Sequence, residues 1–188
     1  MATQGERRRF ELGSHSGANP AVGPWLAAME QLRGLTLTTL ARIESAGLGQ
    51  EFLDWRGSDG NDNWVGSVLY HVAHVEVGWL YFDLLATGGL PQDLEEIVPI
   101  GGRDEQGRLP HITGLGFGDL WEKLALTRQR YLEVIAPLTS EEWRTASEPE
   151  GEDYAVTPAW ATFHLLEHEA GHLYEVRRMV RKWREAKA

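Results

Sequence analysis

A chain of 188 residues is long enough for one domain with a complete core, and 42% hydrophobic with 24% charged residues is an ordinary globular composition. A formal net charge of −10 argues against a nucleic-acid surface, which needs a basic stripe. With no cysteine, the chain has no disulfide, no Cys-ligated zinc and no catalytic thiolate.

No run approaches the ~18 apolar residues of a membrane span, and Arg7-Arg8-Arg9 is followed by no hydrophobic region. The expectation is a cytoplasmic protein without a membrane or nucleic-acid partner. Residues 1–23 are rich in Gly, Ser, Asn and charge and read as a mobile arm or a surface-hugging lead-in to a domain over 24–188. The first helix starts near Pro24 and runs to about Ser45, with Leu26, Met29, Leu32, Leu37, Leu40 and Ile43 at roughly helical spacing. Asp54 to Asp62 is a turn-rich loop. Asn63 is then a plausible N-cap for a second helix from about Trp64 to Ala86.

From Leu90 to Gly118 the sequence is irregular, and so long a connection suggests a functional loop or a crossover. A third helix spans roughly Gly118 to Ala136, and Thr139 to Glu142 reads as a short extra turn. Thr157-Pro158 is a cap followed by a first-turn proline, opening a fourth helix to about Glu185. Its last turns carry Arg177, Arg178, Arg181, Lys182 and Arg184, a solvated terminus that complements the helix dipole. No strand pattern competes. The expectation is an all-α four-helix bundle, a fold whose core-facing side chains commonly build metal sites.

Five of the seven histidines fall on two of these helices. His164, His168 and His172 stand at four-residue steps, so their imidazoles stack on one helix face. On the second helix His71 and His74 lie about 60° apart around the axis. Two histidines from the last helix and one from the second would make a three-histidine metal site with one position open, the catalytic rather than the structural arrangement. Spacing alone leaves open which of the five take part. Glu76 and Glu167 are candidates to orient imidazole N–H groups, although about 140° of helix separates Glu76 from His71 and turns it toward another helix or solvent. Tyr70, Trp79 and Trp160 could wall a pocket, with core packing the commoner role for such aromatics. The loop over 90–118, with His111, could form a lid, and a solvated loop is the simpler reading.

The segment Asn63-Trp-Val-Gly-Ser-Val-Leu-Tyr-His71-Val-Ala-His-Val-Glu76 resembles the second helix of the DinB/YfiT-like superfamily. There a small polar residue is followed eight positions later by a ligand histidine and then by a glutamate. His168-Glu-Ala-Gly-His172 resembles that family's last-helix His-x3-His motif, and Asp54-Trp55-Arg56 matches its loop. The resemblance covers roughly Pro24 to Arg178. It implies a four-helix bundle with up-up-down-down topology and a long crossover, usually dimeric. It also implies a divalent metal, commonly nickel or zinc, held by His71, His168 and His172. His74 falls where the family has a polar neighbour of the site, and His164 one turn above the pair. After the last histidine the family reads x-Gly-Gln or x-Gly-His, whereas this chain reads Leu173-Tyr174-Glu175, so Glu175 is a candidate acceptor in place of the amide.

Characterised relatives resemble transferases and isomerases that use low-molecular-weight thiols such as bacillithiol, mycothiol or glutathione. The resemblance therefore implies thiolate attack on a small electrophile, with a hydrolase-like enzyme that activates metal-bound water as the other catalytic expectation. The alternative is a non-catalytic, stress-associated metal-binding dimer, which a fourth protein ligand such as His74 or His164 would favour.

Overall fold

Six α-helices carry the regular structure of the computed structural model, which describes residues 10–99, 101–103, 105 and 107–188. Four are long: α1 (Gly23–Ser45), α3 (Val65–Gly78), α5 (Phe117–Ile135) and α6 (Pro158–Lys187). The short α2 (Gln50–Leu53) falls where the sequence pattern assigns no element, and α4 (Gln92–Ile97) in the long connection that reads as irregular. Among the described residues there is no strand, only an isolated bridge between Ser147 and Val156. The first nine residues of the lead-in and three positions of the long connection lie outside the described residues.

Local chemistry sets the helix ends. Pro24 occupies the first turn of α1, where its missing N–H has no intrahelical partner to lose. At α6 the Thr157 hydroxyl accepts from the Trp160 N–H at 3.1 Å, and Pro158 follows it. Asn63 departs from expectation. Trp64 is the N-cap of α3 with no side-chain cap, and Asn63 instead reaches across to α6 and the long connection. The second helix also changes character. After Gly78 it widens into a π-helical turn, Trp79–Leu84.

The connection over 90–118 is not a solvated loop. Leu94, Val98, Leu109 and Ile112 are buried against the core, and the Ile112 N–H donates to the Ser67 hydroxyl at 3.0 Å. A Cβ on Gly101 would collide with the His74 imidazole, so the backbone passes closer to α3 there than any other residue allows. At the other end of the bundle, Arg178 and Lys182 are not a free basic terminus. Both donate to Asp62, at 2.7 and 2.6 Å, and Trp183 packs edge-on against Phe52 and Trp55. The turn-rich loop is thereby held against α6.

The centre of the bundle is charged. Arg33 of α1, Glu76 of α3, Arg128 of α5 and Glu169 of α6 are each at most 5% exposed. Arg33 donates to Glu169 Oε1 at 2.9 Å and to Glu76 Oε2 at 2.9 Å. Arg128 donates to Glu169 Oε2 at 2.8 Å and to Glu76 Oε1. Thr36 and Thr127 add hydroxyl donors, and backbone carbonyls of Leu124 and Met29 accept from the Nη1 of Arg33 and of Arg128. Two positive and two negative groups cancel, and each carboxylate is met from two helices. The pairing overcomes burial: the guanidinium groups hold Glu169 below the usual carboxylate range, although desolvation opposes this. This quartet ties all four long helices together and fixes the rotation of α3 and α6.

Candidate metal centre

Fixing α3 and α6 in this way brings His71, His168 and His172 together. His168 Nε2 lies 3.2 Å from His71 Nε2 and 3.2 Å from His172 Nε2, and one nitrogen of each falls within 4.8 Å of the others. A tetrahedral ion with bonds of about 2.0–2.1 Å separates its ligand atoms by roughly 3.3 Å. The two 3.2 Å separations match that value, and the third pair lies within 4.8 Å.

Protonation favours the same reading. Burial first, then the charges of neighbouring imidazoles, pushes His71 and His168 down to about 3, so both are neutral at ordinary pH. Arg103 adds to the push on both. The third imidazole is oriented by a carboxylate: His172 Nδ1 donates to Glu175 Oε2 at 2.9 Å, which turns the Nε2 lone pair into the triad. Glu175 is itself held by Asn63 Nδ2 at 3.2 Å, and Asn63 Oδ1 accepts from the Leu109 N–H at 3.2 Å. Burial would raise Glu175, but the hydrogen bonds from His172 and Asn63 bring it below its usual range. A shared proton can bridge only two of the three Nε2 atoms. A cation satisfies all three at once.

The other candidates from the sequence fall elsewhere. His164 lies flat against Trp160 (5.2 Å, 8°) and edge-on to Trp79 (4.9 Å), outside the triad. His74 sits beneath Gly101, and its buried Nδ1 has no hydrogen-bond partner among the described residues. Burial lowers its pKa. Neither is a fourth ligand in this geometry. Glu76 does face other helices, as its place in the central quartet shows, and it orients no triad imidazole. Glu167 is exposed on the outer face of α6, one residue before His168 and therefore turned about 100° from it. His111 stacks on Trp64 at 4.3 Å and meets Asp54 at 3.4 Å; it is no lid over the triad.

Beside the triad lies a cleft of about 350 Å³ lined by His71, His74, Val75, Trp79, Phe82, Asp83 and Arg103 among others. The volume suits a small organic ligand. Arg103, on the long connection, brings Nη2 to 3.4 Å from His71 Nε2. Sequence patterning gives no hint of it, since a loop arginine carries no period. A larger groove of about 580 Å³ runs between α1 and α5, but the two arginines lining it, Arg33 and Arg128, are already committed to Glu76 and Glu169.

The sequence profile of the DinB superfamily matches residues 28–176, a span that includes His71, His168 and His172. This chain belongs to the DinB superfamily. None of the curated proteins matches it. Membership accords with the helical bundle and with three histidines that could hold a metal ion. Among the described residues no helix of this DinB protein is long and apolar enough to cross a membrane.

Proposed function

We propose that this DinB protein is a metal-dependent transferase of the cytoplasm. In this reading His71, His168 and His172 hold a divalent ion, nickel or zinc, and a homodimer joins a low-molecular-weight thiol to a small electrophile. The observation that carries the reading is the open side of the triad. The triad meets a 350 Å³ cleft through His71, and neither His74 nor His164 closes the fourth position.

Three imidazole ligands suit a borderline divalent ion rather than a hard one. A bound divalent ion would supply a Lewis acid that lowers the pKa of a thiol in the open position, replacing the cysteine the chain lacks. The remaining contributions come from the protein itself. Glu175 keeps the proton on His172 Nδ1 and so keeps Nε2 a donor of electrons. Trp79 and Phe82 offer an apolar wall that orients the electrophile and excludes water from the thiolate. In the reaction the thiol gives its proton to solvent and a carbon–sulfur bond forms; an alkyl electrophile loses its leaving group with the bonding pair, and in an unsaturated one the π pair moves to the adjacent carbon, which takes a proton from solvent.

The test is a conjugation panel. Metal-loaded wild type is incubated with bacillithiol, mycothiol, glutathione or cysteine and a set of alkyl and unsaturated electrophiles, following loss of free thiol. Metal-dependent conjugation by at least one pair, absent in His168→Ala, is expected. No metal-dependent turnover across the panel would overturn the transferase reading in favour of a non-catalytic, stress-associated metal-binding protein.

A further inference from the structure

We infer that Arg103 and the cleft beside the triad bind a small apolar monocarboxylate, with the carboxylate on the guanidinium and the apolar body against Trp79 and Phe82. The inference rests on the metal-dependent reading above and names the class of electrophile that site would take.

Three observations carry it. First, Arg103 is positioned rather than loose. Its Nη1 donates to the Gly107 carbonyl at 2.8 Å within the same loop, and that loop is seated on α3 through Gly101 and His74. Its other terminal nitrogen, Nη2, stands 3.4 Å from His71 Nε2, at the edge of the triad. Second, no carboxylate pairs with Arg103 among the described residues, although the chain carries 28 acidic residues against 18 basic ones. A guanidinium beside three imidazoles and a divalent ion accumulates positive charge, which an anionic ligand would offset. Its planar fork matches a carboxylate in two parallel hydrogen bonds. Third, the cleft continues from Arg103 past Val75, Trp79 and Phe82, and Phe82 is 42% exposed. An apolar body there covers aromatic surface that water now touches.

The far rim limits the ligand to one negative end. Asp83 lines the same cleft, where it accepts a hydrogen bond from the Tyr154 hydroxyl at 2.5 Å. That bond raises the Tyr154 pKa and so keeps its hydroxyl protonated beside the Asp83 carboxylate. A second carboxylate on the ligand would face it. The recognised class is thus an apolar acid, not a dicarboxylate.

Isothermal titration with 3-phenylpropanoate, 3-phenylpropanamide and phenylsuccinate tests this, on wild type, Arg103→Gln and Arg103→Lys, each with and without zinc. Tenfold to a hundredfold weaker binding of the amide than of the carboxylate is expected for wild type. Phenylsuccinate should bind more weakly than the monocarboxylate. Arg103→Gln should erase the carboxylate preference while retaining the same zinc content, and Arg103→Lys should restore part of it. Equal binding of amide and carboxylate by wild type would overturn the inference, and so would an unchanged preference in Arg103→Gln, since the ion alone would then hold the acid. The zinc-free arm separates the two proposals. A wild type that takes up no zinc fails the metal reading, yet an Arg103-dependent carboxylate preference in that protein still supports this one and its absence overturns it. Matching 3-mercaptopropanoate against 2-mercaptoethanol tells whether the carboxylate belongs to the electrophile. An Arg103-dependent preference seen only in the thiol pair would contradict the assignment to the electrophile.

Discussion

Two polar clusters share the same two helices of this DinB protein and are built on opposite terms. Glu169 and His168 are neighbours on α6, and Glu76 follows His71 by five positions on α3. The carboxylates turn into the bundle and are met by Arg33, Arg128, Thr36 and Thr127 until their acceptor sites are filled. The imidazoles turn away from that centre and leave three half-buried Nε2 atoms close to one another, with His71 at the edge of a cleft. The difference teaches which cluster is structural. A buried cluster with every group paired has nothing left to bind. A cluster that converges without sufficient partners is waiting for one. The paired cluster also makes the unpaired one possible, because it fixes the faces that α3 and α6 present to each other.

The largest effect is expected at the quartet. Glu169→Ala strands two buried guanidinium groups, and denaturant unfolding should show a loss of about 3–5 kcal/mol. A loss below about 1 kcal/mol would mean the quartet does not hold the bundle. At the other cluster the large effect is on binding. Glu175→Gln keeps the fold but loosens the orientation of His172, and metal affinity should fall about 10–100-fold by competition with a chromophoric chelator. Unchanged affinity would remove Glu175 from the site.

Acid should separate the clusters by pH. In the unfolded chain a histidine titrates near 6.5, whereas His71 and His168 are held at about 3 when folded. The unfolded state therefore binds protons that the folded state refuses. The stability at stake is fully present above about 6.5 and is lost as pH falls toward 3. Glu169, lowered in the folded state, adds its loss only below the usual carboxylate range, near 4. Metal-free wild type should thus lose stability from about pH 6.5 downward, and His71→Ala should show a shallower slope between 6.5 and 4.5. Identical slopes would contradict the assignment. The smallest effect belongs to His164→Ala, which removes a ring stacked on Trp160. It should cost about 1 kcal/mol and leave metal content unchanged.

Much of this was legible in the sequence. Repeated histidines at a four-residue step can be seen because helix geometry turns spacing into direction. The long helices follow from capping and apolar period, and their ends are off by a residue or two. The partner on α3 needed the family resemblance, since nothing in the spacing ranks His71 above His74. The quartet carried a signal that apolar period alone passes over: Glu76 lies between buried Val72 and Leu80, and Glu169 between Leu165 and Leu173, each four positions away and on the core face. A charge in core register requires an opposite charge elsewhere in core register, as Arg33 and Arg128 provide. The π-helical turn has no sequence letter of its own. Asn63 has a side chain as suited to capping as to bridging, and only the approach of Glu175 and Leu109 decides between them. Arg103 depends on how a long loop closes over α3, which is a tertiary event.

The central claim is that His71, His168 and His172 form one metal site, and metal uptake tests it most directly. Purified protein is stripped with chelator, dialysed against zinc, nickel or cobalt, and assayed for bound metal by elemental analysis. The account predicts one ion per chain in wild type, His74→Ala and His164→Ala, and loss of that ion in His71→Ala, His168→Ala and His172→Ala. Full retention by the last three variants, or its loss in either of the other two, would contradict it.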